Sequence, residues 1–125
     1  MPERVLLVVV GAGIGGGVRY LIGLWAAERF GAAFPVGTLL INTSGSFVLA
    51  FLLAHIAARS GPGPELRLLL GTGFCGGYTT FSAFAAETLA LVEGSQVLAA
   101  TLNVLLNVAL SLLAALAGSW LARLA

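Results

Sequence analysis

Residues 71–84, GTGFCGGYTTFSAF, lie inside an apolar segment but contain four glycines, three threonines and one serine. That composition is unusual for an uninterrupted membrane helix. The adjacent glycines relax the backbone, and the hydroxyls of Thr79, Thr80 and Ser82 can bond carbonyls that leave the helical ladder. The pattern therefore predicts a broken helix. Because non-helical backbone at membrane depth must be covered by protein or line a wet cavity, the break favours a buried ion site over a simple packing kink.

The composition of the whole chain is that of a membrane protein. Its 125 residues are 59% hydrophobic and 9% charged, with a mean hydropathy of +1.05, whereas charged residues make up about a quarter of a soluble domain. A net charge of +1 excludes a nucleic-acid-binding footprint, which needs clustered Lys and Arg. The single Cys75 excludes an intramolecular disulfide framework and a cysteine-based zinc site. A chain this short can build a sizeable polar path only by packing several copies or as a very compact bundle.

Four apolar segments are each long enough to cross a bilayer, which takes about 20 helical residues. They cover about residues 5–27, 35–58, 66–92 and 95–122, and the predicted break falls near 75–80. Short connections that are charged or rich in Gly and Pro join them, as expected for turns at membrane faces. We therefore predict an all-α, multi-pass membrane protein with four transmembrane helices in one domain over residues 1–125. Its third helix is broken near the middle.

Arginines near the segment ends predict the topology. Four spans place both termini on one side of the membrane. The arginines expected on that side are Arg4, Arg59, Arg67 and Arg123, whereas Arg29 lies on the other side. Since arginine in short loops is enriched on the cytoplasmic side, this bias favours termini that face the cytoplasm.

Polar residues within the spans form stripes. Asn103, Asn107 and Ser111 recur every four positions in the fourth segment, and Asn42 and Ser46 have the same spacing in the second. Each set therefore shares a helical face. Such groups are costly in lipid unless they meet partners or water. The stripes alone favour hydrogen bonding between helices, but a polar pathway stays open as the alternative.

Two charged residues and one histidine also lie within the spans. Arg19 follows Val5 by 14 residues, so it must be paired, reach the interface or face a wet vestibule. Glu87 lies three residues after Phe84 and can pair with Arg19 or line a vestibule. His55 has no Cys or acidic cluster beside it in the sequence, which argues against a metal site.

The motifs GTLLINTSGS at 37–46 and GTGFCGGYTTFSAF at 71–84 together resemble the Fluc/CrcB family of small fluoride channels. The resemblance covers nearly the whole chain, including GVRY at 17–20 and the polar fourth segment. It implies passive export of fluoride across the cytoplasmic (inner) membrane, and protection against fluoride toxicity. It also implies an antiparallel, dual-topology homodimer in membrane lipid, with two pores at the interface. The arginine bias departs from dual topology, so a heterodimer with an oppositely biased paralogue is the alternative.

The resemblance assigns pore roles to individual residues. Asn42 matches the pore asparagine, and Phe81 and Phe84 match the phenylalanines that line the fluoride path. The other expected pore residues carry hydroxyl or amide groups: Thr80, Ser82, Asn107 and Ser111. These side chains suit a small, strongly hydrated anion, since they replace water with donors and add no trapping charge. Phenylalanine rings can present positive edges to the same anion.

The resemblance also implies a structural sodium ion and a vestibule. Gly76 and Thr79 match residues whose backbone carbonyls hold a central Na⁺, and Arg19 matches an arginine facing an aqueous vestibule. Ala83 and Ala85 replace hydroxyls that the family often has in the break, so the polar track differs in detail here.

Two other classes of function are alternatives to a channel. A small proton-coupled exporter of hydrophobic cations needs a buried acidic residue, typically in its first helix, but residues 5–27 hold none and only Glu87 could substitute. A structural assembly subunit would use the break and the stripes for packing alone. No nucleophile–base pair or phosphate loop indicates an enzyme. The GxGxxG match at 11–16 lies in a predicted span rather than after a strand, which favours helix packing.

Overall fold

The computed structural model describes residues 1–58 and 63–125, and every element in them is helical. In chain order these are α1 (Pro2–Phe30), α2 (Val36–Ala58), α3 (Pro64–Leu66), a π-helical segment (Arg67–Cys75), α4 (Gly76–Tyr78), α5 (Phe81–Glu93) and α6 (Val97–Leu124). Three of these helices, α1, α2 and α6, are long and apolar enough to cross a membrane. Arg59, on which part of the topology prediction rests, lies outside the described residues.

The third predicted segment consists of two helical pieces. The first runs without a gap over residues 64–78, and the second is α5. Between them Thr79 has φ −80° and ψ 158°, and Thr80 has φ −150° and ψ 123°, so both are extended. The helix is therefore interrupted inside the predicted window, near its C-terminal end.

The adjacent glycines are not the point of rupture. Gly76 has helical dihedrals, φ −64° and ψ −36°, and Gly77 continues the same turn in α4. The sequence interpretation, which attributed the break to their flexibility, was wrong on this point. Gly77 allows close packing instead, because a Cβ there would lie 2.7 Å from the Cα of Ala12 in α1. Such an approach is possible only without a side chain.

The glycines of α1 form the other half of this contact. Gly11 and Gly15, one turn apart, are buried against the π-helical segment and α4. A Cβ on Gly11 would lie 2.8 Å from the amide nitrogen of Phe74, and one on Gly15 would lie 2.9 Å from that of Tyr78. The expectation that the GxGxxG stretch serves helix packing is confirmed. This backbone-to-backbone contact holds α1 close against the helical piece that precedes the break.

Small residues also let α6 approach α2. A Cβ on Gly118 would lie 3.2 Å from the carbonyl carbon of Phe47, and Ala122 is buried on the same face. The approach brings the polar stripe of α6 opposite that of α2. The opposite side of α6 exposes large apolar residues, including Leu98, Leu116 and Trp120, as expected where lipid or another subunit covers it.

Candidate ion pathway

The side chain of Asn42 forms hydrogen bonds to the backbone at the interruption in the third segment. Its Oδ1 accepts from the Thr80 amide at 2.9 Å, and its Nδ2 donates to the Thr80 carbonyl at 3.0 Å. An amide side chain thus pairs with both backbone groups of one extended residue, much as a neighbouring strand would. Buried backbone groups that leave a helix need such partners, so Asn42 stabilises the extended conformation of Thr80.

At the break, two backbone amides donate to side chains instead of to the carbonyls that they would meet in a regular helix. In an uninterrupted helix the Thr80 amide would reach the carbonyl of Gly76, and the Ala83 amide would reach that of Thr79. The Thr80 amide instead donates to Asn42, and the Ala83 amide donates to Thr80 Oγ1 at 3.1 Å, which caps α5. The carbonyls that lose their regular donors include the two that the resemblance assigns to sodium.

A polar network extends from Asn42 into α6 and α5. Asn42 Nδ2 also donates to Asn107 Oδ1 at 3.1 Å, and Asn107 Nδ2 donates to Asn103 Oδ1 at 2.9 Å. Asn103 Nδ2 in turn donates to Thr88 Oγ1 at 2.9 Å. The polar stripe of α6 therefore connects three helices, which is the hydrogen-bonding interpretation that the sequence favoured.

A cavity of about 280 Å³ adjoins this network. Its lining includes eight of the residues singled out from the sequence: Asn42, Ser46, Thr79, Thr80, Phe81, Phe84, Asn107 and Ser111. The rings of Phe81 and Phe84 are 5.4 Å apart and tilted by 57°. Phe84 is only 8% exposed, whereas Phe81 is 79% exposed in the single chain. One ring is thus held by the chain, and the other projects from its surface.

The donors at this cavity are not equally available to an anion. Both hydrogens of Asn42 Nδ2 are engaged, one by Thr80 and one by Asn107. Ser111 Oγ is buried and has no hydrogen-bond partner among residues 1–58 and 63–125. Ser82 is exposed, lies outside the lining, and has its Oγ 3.4 Å from Thr80 Oγ1.

A second cavity, of about 520 Å³, contains the predicted vestibule arginine. Arg19, Thr38, Thr80 and Glu87 are among its lining residues. Glu87 Oε1 accepts from Thr38 Oγ1 at 2.8 Å, and no ion pair joins Glu87 to Arg19 in the described part of the chain. Of the two alternatives for Glu87, the structure therefore supports a place in the vestibule lining, with Thr38 rather than Arg19 as its partner. Thr80 lines both cavities, so the break lies between them.

A protein-family model described as CrcB-like protein, Camphor Resistance (CrcB), matches residues 6–119. The chain belongs to the CrcB family. Three relatives of this CrcB chain carry the name "Fluoride-specific ion channel FluC". The relative from Rhizobium meliloti (strain 1021) is 46% identical over 121 residues, which is 97% of each chain. The relative from Anaeromyxobacter sp. (strain K) is 47% identical over 120 residues, covering 96% of this chain and 95% of its own. The relative from Sulfurihydrogenibium sp. (strain YO3AOP1) is 43% identical over 122 residues, or 98% of each.

Two residues of the CrcB chain's network were not assigned to the site from the sequence. Asn103 belongs to the polar stripe of the fourth segment, but the resemblance gives a pore role within it only to Asn107 and Ser111. The four-residue spacing by itself does not show what each member of the stripe contacts. Thr88 gave no signal, because a lone threonine in an apolar helix commonly bonds its own backbone. The Thr88 hydroxyl does this too, donating to the Phe84 carbonyl at 2.7 Å while accepting from Asn103.

Proposed function

We propose that this CrcB chain forms a fluoride-selective channel, not an enzyme, which exports fluoride passively across the cell membrane and so protects the cell. The observation that carries the proposal is the cavity at the helix break, where paired phenylalanines meet uncharged amide and hydroxyl groups. This donor set suits an anion that must shed water and leave again. Relatives over the full length of the chain are named as channels for the same ion.

Fluoride passes between the two cavities at Thr80 in this proposal. The Ser111 hydroxyl is the donor that needs no rearrangement, since it lacks a partner in the described residues. Asn42 Nδ2 gives up its bond to Asn107 Oδ1 and donates that hydrogen to the anion instead, while it keeps its other bond, to the Thr80 carbonyl. The edges of Phe81 and Phe84 carry partial positive charge and complete the shell.

Fluoride efflux from liposomes carrying the purified protein tests this function. We expect efflux that is driven by the fluoride gradient alone and is faster than from protein-free liposomes. A proton-coupled exporter would instead accumulate a hydrophobic cation when a proton gradient is imposed, and an assembly subunit would do neither. Folded protein that releases no fluoride would contradict the proposal.

The channel is an antiparallel dimer in which each subunit contributes four transmembrane segments. Residues 64–93 form the third crossing, in two helical pieces that together have the required length. Support comes from Phe81, a large apolar ring that is 79% exposed in the single chain beside a polar cavity. A second copy would cover it, and membrane lipid would cover the outer apolar faces. A heterodimer with an oppositely biased paralogue is the alternative assembly.

The arginine bias predicts unequal insertion of the two orientations. We expect the orientation with cytoplasmic termini to be enriched but not exclusive, because few charges set the bias. Labelling of a terminal tag from either side of the membrane measures the fraction. An even split would show that these charges do not steer insertion.

A sodium ion at the two-fold axis is the structural cofactor of this dimer. The carbonyls of Gly76 and Thr79 lose their regular donors at the break, and oxygen atoms of this type suit a hard cation. In a symmetric dimer an element on the axis meets its own copy, so two carbonyls per chain supply four oxygens. The described residues contain no cluster of His, Cys, Asp or Glu that would hold a metal, so the cage is formed by backbone. The bound ion stabilises the assembled state by mass action.

Replacement of Na⁺ by a large organic cation is expected to lower both dimer stability and fluoride flux, and restored Na⁺ should rescue them. Size-exclusion chromatography and liposome efflux measure the two effects. Gly76→Val should abolish the rescue without unfolding the single chain, because a Cβ at Gly76 meets nothing within 4 Å there. Full activity and an intact dimer without Na⁺ would overturn the assignment.

Isoleucine at either pore phenylalanine is expected to suppress fluoride flux about tenfold. The substitution keeps an apolar side chain but removes the ring edge, and an aromatic contact contributes roughly 0.5–1.5 kcal/mol. Phe81→Ile and Phe84→Ile should be compared with Phe30→Ile, an exposed ring outside the cavity lining. The measurement is efflux per folded dimer. Pore variants that conduct as well as the Phe30 control would remove the rings from the pathway.

A further inference from the structure

The network behind the cavity is a directed chain of hydrogen bonds. Asn42 donates to Asn107, Asn107 donates to Asn103, and Asn103 donates to Thr88. Each asparagine uses its nitrogen toward the next residue. Because an amide carries its donor and acceptor on different atoms, each bond in such a chain decides which atom the neighbouring amide must present.

The Thr88 end of the chain has a fixed polarity. Its hydroxyl has one hydrogen, which it donates to the Phe84 carbonyl, so toward Asn103 it can act only as an acceptor. Asn103 must therefore turn its nitrogen to Thr88 and its oxygen to Asn107. Asn107 then turns its nitrogen to Asn103, also bonding the Asn103 carbonyl at 3.0 Å, and leaves its oxygen for Asn42.

The Thr80 end requires the same direction. The Thr80 backbone offers an N–H to Asn42 Oδ1 and a carbonyl to Asn42 Nδ2. Reversal of the Asn42 amide would place oxygen against oxygen at both Thr80 and Asn107. The two ends of the chain thus agree on one orientation, in which the Asn42 nitrogen faces Asn107 at the cavity.

Because Asn103 is buried, reversing the orientation of these amides would cost free energy. Asn103 has 0% exposure, and it does not belong to the lining of either cavity. Without solvent to compensate, a lost partner leaves an unsatisfied polar group, which is more expensive than the bond itself is favourable. Asn103 therefore lies behind the pathway rather than in it, and it reaches Asn42 through Asn107.

We propose that Asn103 and Thr88 are positioning residues of the channel: through Asn107 they orient the Asn42 amide so that its nitrogen, rather than its oxygen, occupies the position where the anion exchanges for Asn107 Oδ1. The inference rests on the proposed function for its effect on fluoride. It rests on the hydrogen-bond geometry alone for its effect on Asn42 and the helix break.

The test compares Thr88→Val with Thr88→Ser. Valine has the shape of threonine without the hydroxyl, whereas serine keeps the hydroxyl and loses a methyl group. Thr101→Val is the matched control, since Thr101 is exposed on α6 and, within residues 1–58 and 63–125, its hydroxyl bonds only the Val97 carbonyl of its own helix. The two measurements are fluoride efflux per folded dimer and hydrogen exchange of the Thr80 amide, resolved by NMR in micelles.

We expect Thr88→Val to reduce efflux about fivefold and to accelerate exchange of the Thr80 amide by a similar factor, as for the loss of one net hydrogen bond. Thr88→Ser and Thr101→Val should stay within about twofold of the parent in both measurements. Asn103→Leu should reproduce the effect of Thr88→Val if it folds, but the comparison at Thr88 decides the question without it.

Two results would overturn the inference. One is parental exchange at Thr80 in Thr88→Val. The other is faster exchange spread evenly over α5 and α6, with no added effect at Thr80, which would indicate a general loss of packing. If the parent protein releases no fluoride, the proposed function fails, but the exchange measurement still decides whether Thr88 positions Asn42.

Discussion

Asn42→Asp is expected to reduce fluoride efflux about a hundredfold. The aspartate would replace a donor nitrogen by a charged oxygen at about the same place. That oxygen would face the Thr80 carbonyl and Asn107 Oδ1, which now lie 3.0 and 3.1 Å from the nitrogen. It would also place a negative charge in the path of an anion. An uncompensated buried charge costs about 3–5 kcal/mol, and every 1.4 kcal/mol is tenfold in an equilibrium.

The control for Asn42→Asp adds the same charge at an exposed residue that lines neither cavity. Ser95 is exposed in the turn before α6 and has a φ of 59°, a conformation that Asp tolerates. Ser95→Asp should therefore leave efflux near the parental rate. Efflux is measured from liposomes with matched amounts of folded dimer. If Asn42→Asp conducts as well as Ser95→Asp, Asn42 does not lie on the fluoride pathway.

Gly15→Ala is expected to destabilise the folded chain by about 1–3 kcal/mol, the usual cost of overpacking a close contact. A Cβ at this position would collide with the carbonyl oxygen of Phe74 and lie 2.9 Å from the amide nitrogen of Tyr78. Both are backbone atoms, so α1 and the π-helical segment must separate. Because that segment leads directly into the break, we expect fewer folded dimers and lower efflux together.

Gly13→Ala provides the matched control for Gly15→Ala. Gly13 lies two residues earlier in the same helix, but a Cβ there would meet nothing within 4 Å. Alanine is favoured over glycine in a helix by about 1 kcal/mol, so this variant should be as stable as the parent or more stable. Thermal unfolding in detergent measures both variants. Equal unfolding temperatures for the two would show that the close contact at Gly15 does not hold the segment in place.

Several properties of the chain were predictable because they depend on local sequence. The apolar composition indicates a membrane protein, since few charges remain to solvate a surface. The length of the apolar segments predicts spanning helices, and α1, α2 and α6 agree with that prediction. The stretch at 71–84, rich in glycine and hydroxyl residues, predicts an interruption near 75–80, and the structure has it at Thr79 and Thr80.

The cause of the interruption could not be predicted from the stretch itself. Gly76 and Gly77 have the composition of a flexible joint, but the approach of α1 demands a helical glycine at the second position. The extended conformation of Thr80 instead depends on Asn42 in another helix. A local pattern shows where a backbone can bend, whereas a distant partner determines where it does.

Local sequence features were enough to predict the membrane class, the apolar segments, the place of the break and the likeness to a family. Each follows from composition, length or a motif of neighbouring residues. The use of the polar side chains, in contrast, depends on contacts between helices. Asn42 meets Thr80 and Asn107 across 38 and 65 residues of chain, and the single hydrogen of the Thr88 hydroxyl sets the direction of the amides between them. Such partners depend on how helices pack, because a hydrogen bond requires donor and acceptor within about 3 Å and no periodicity specifies that distance between separate segments.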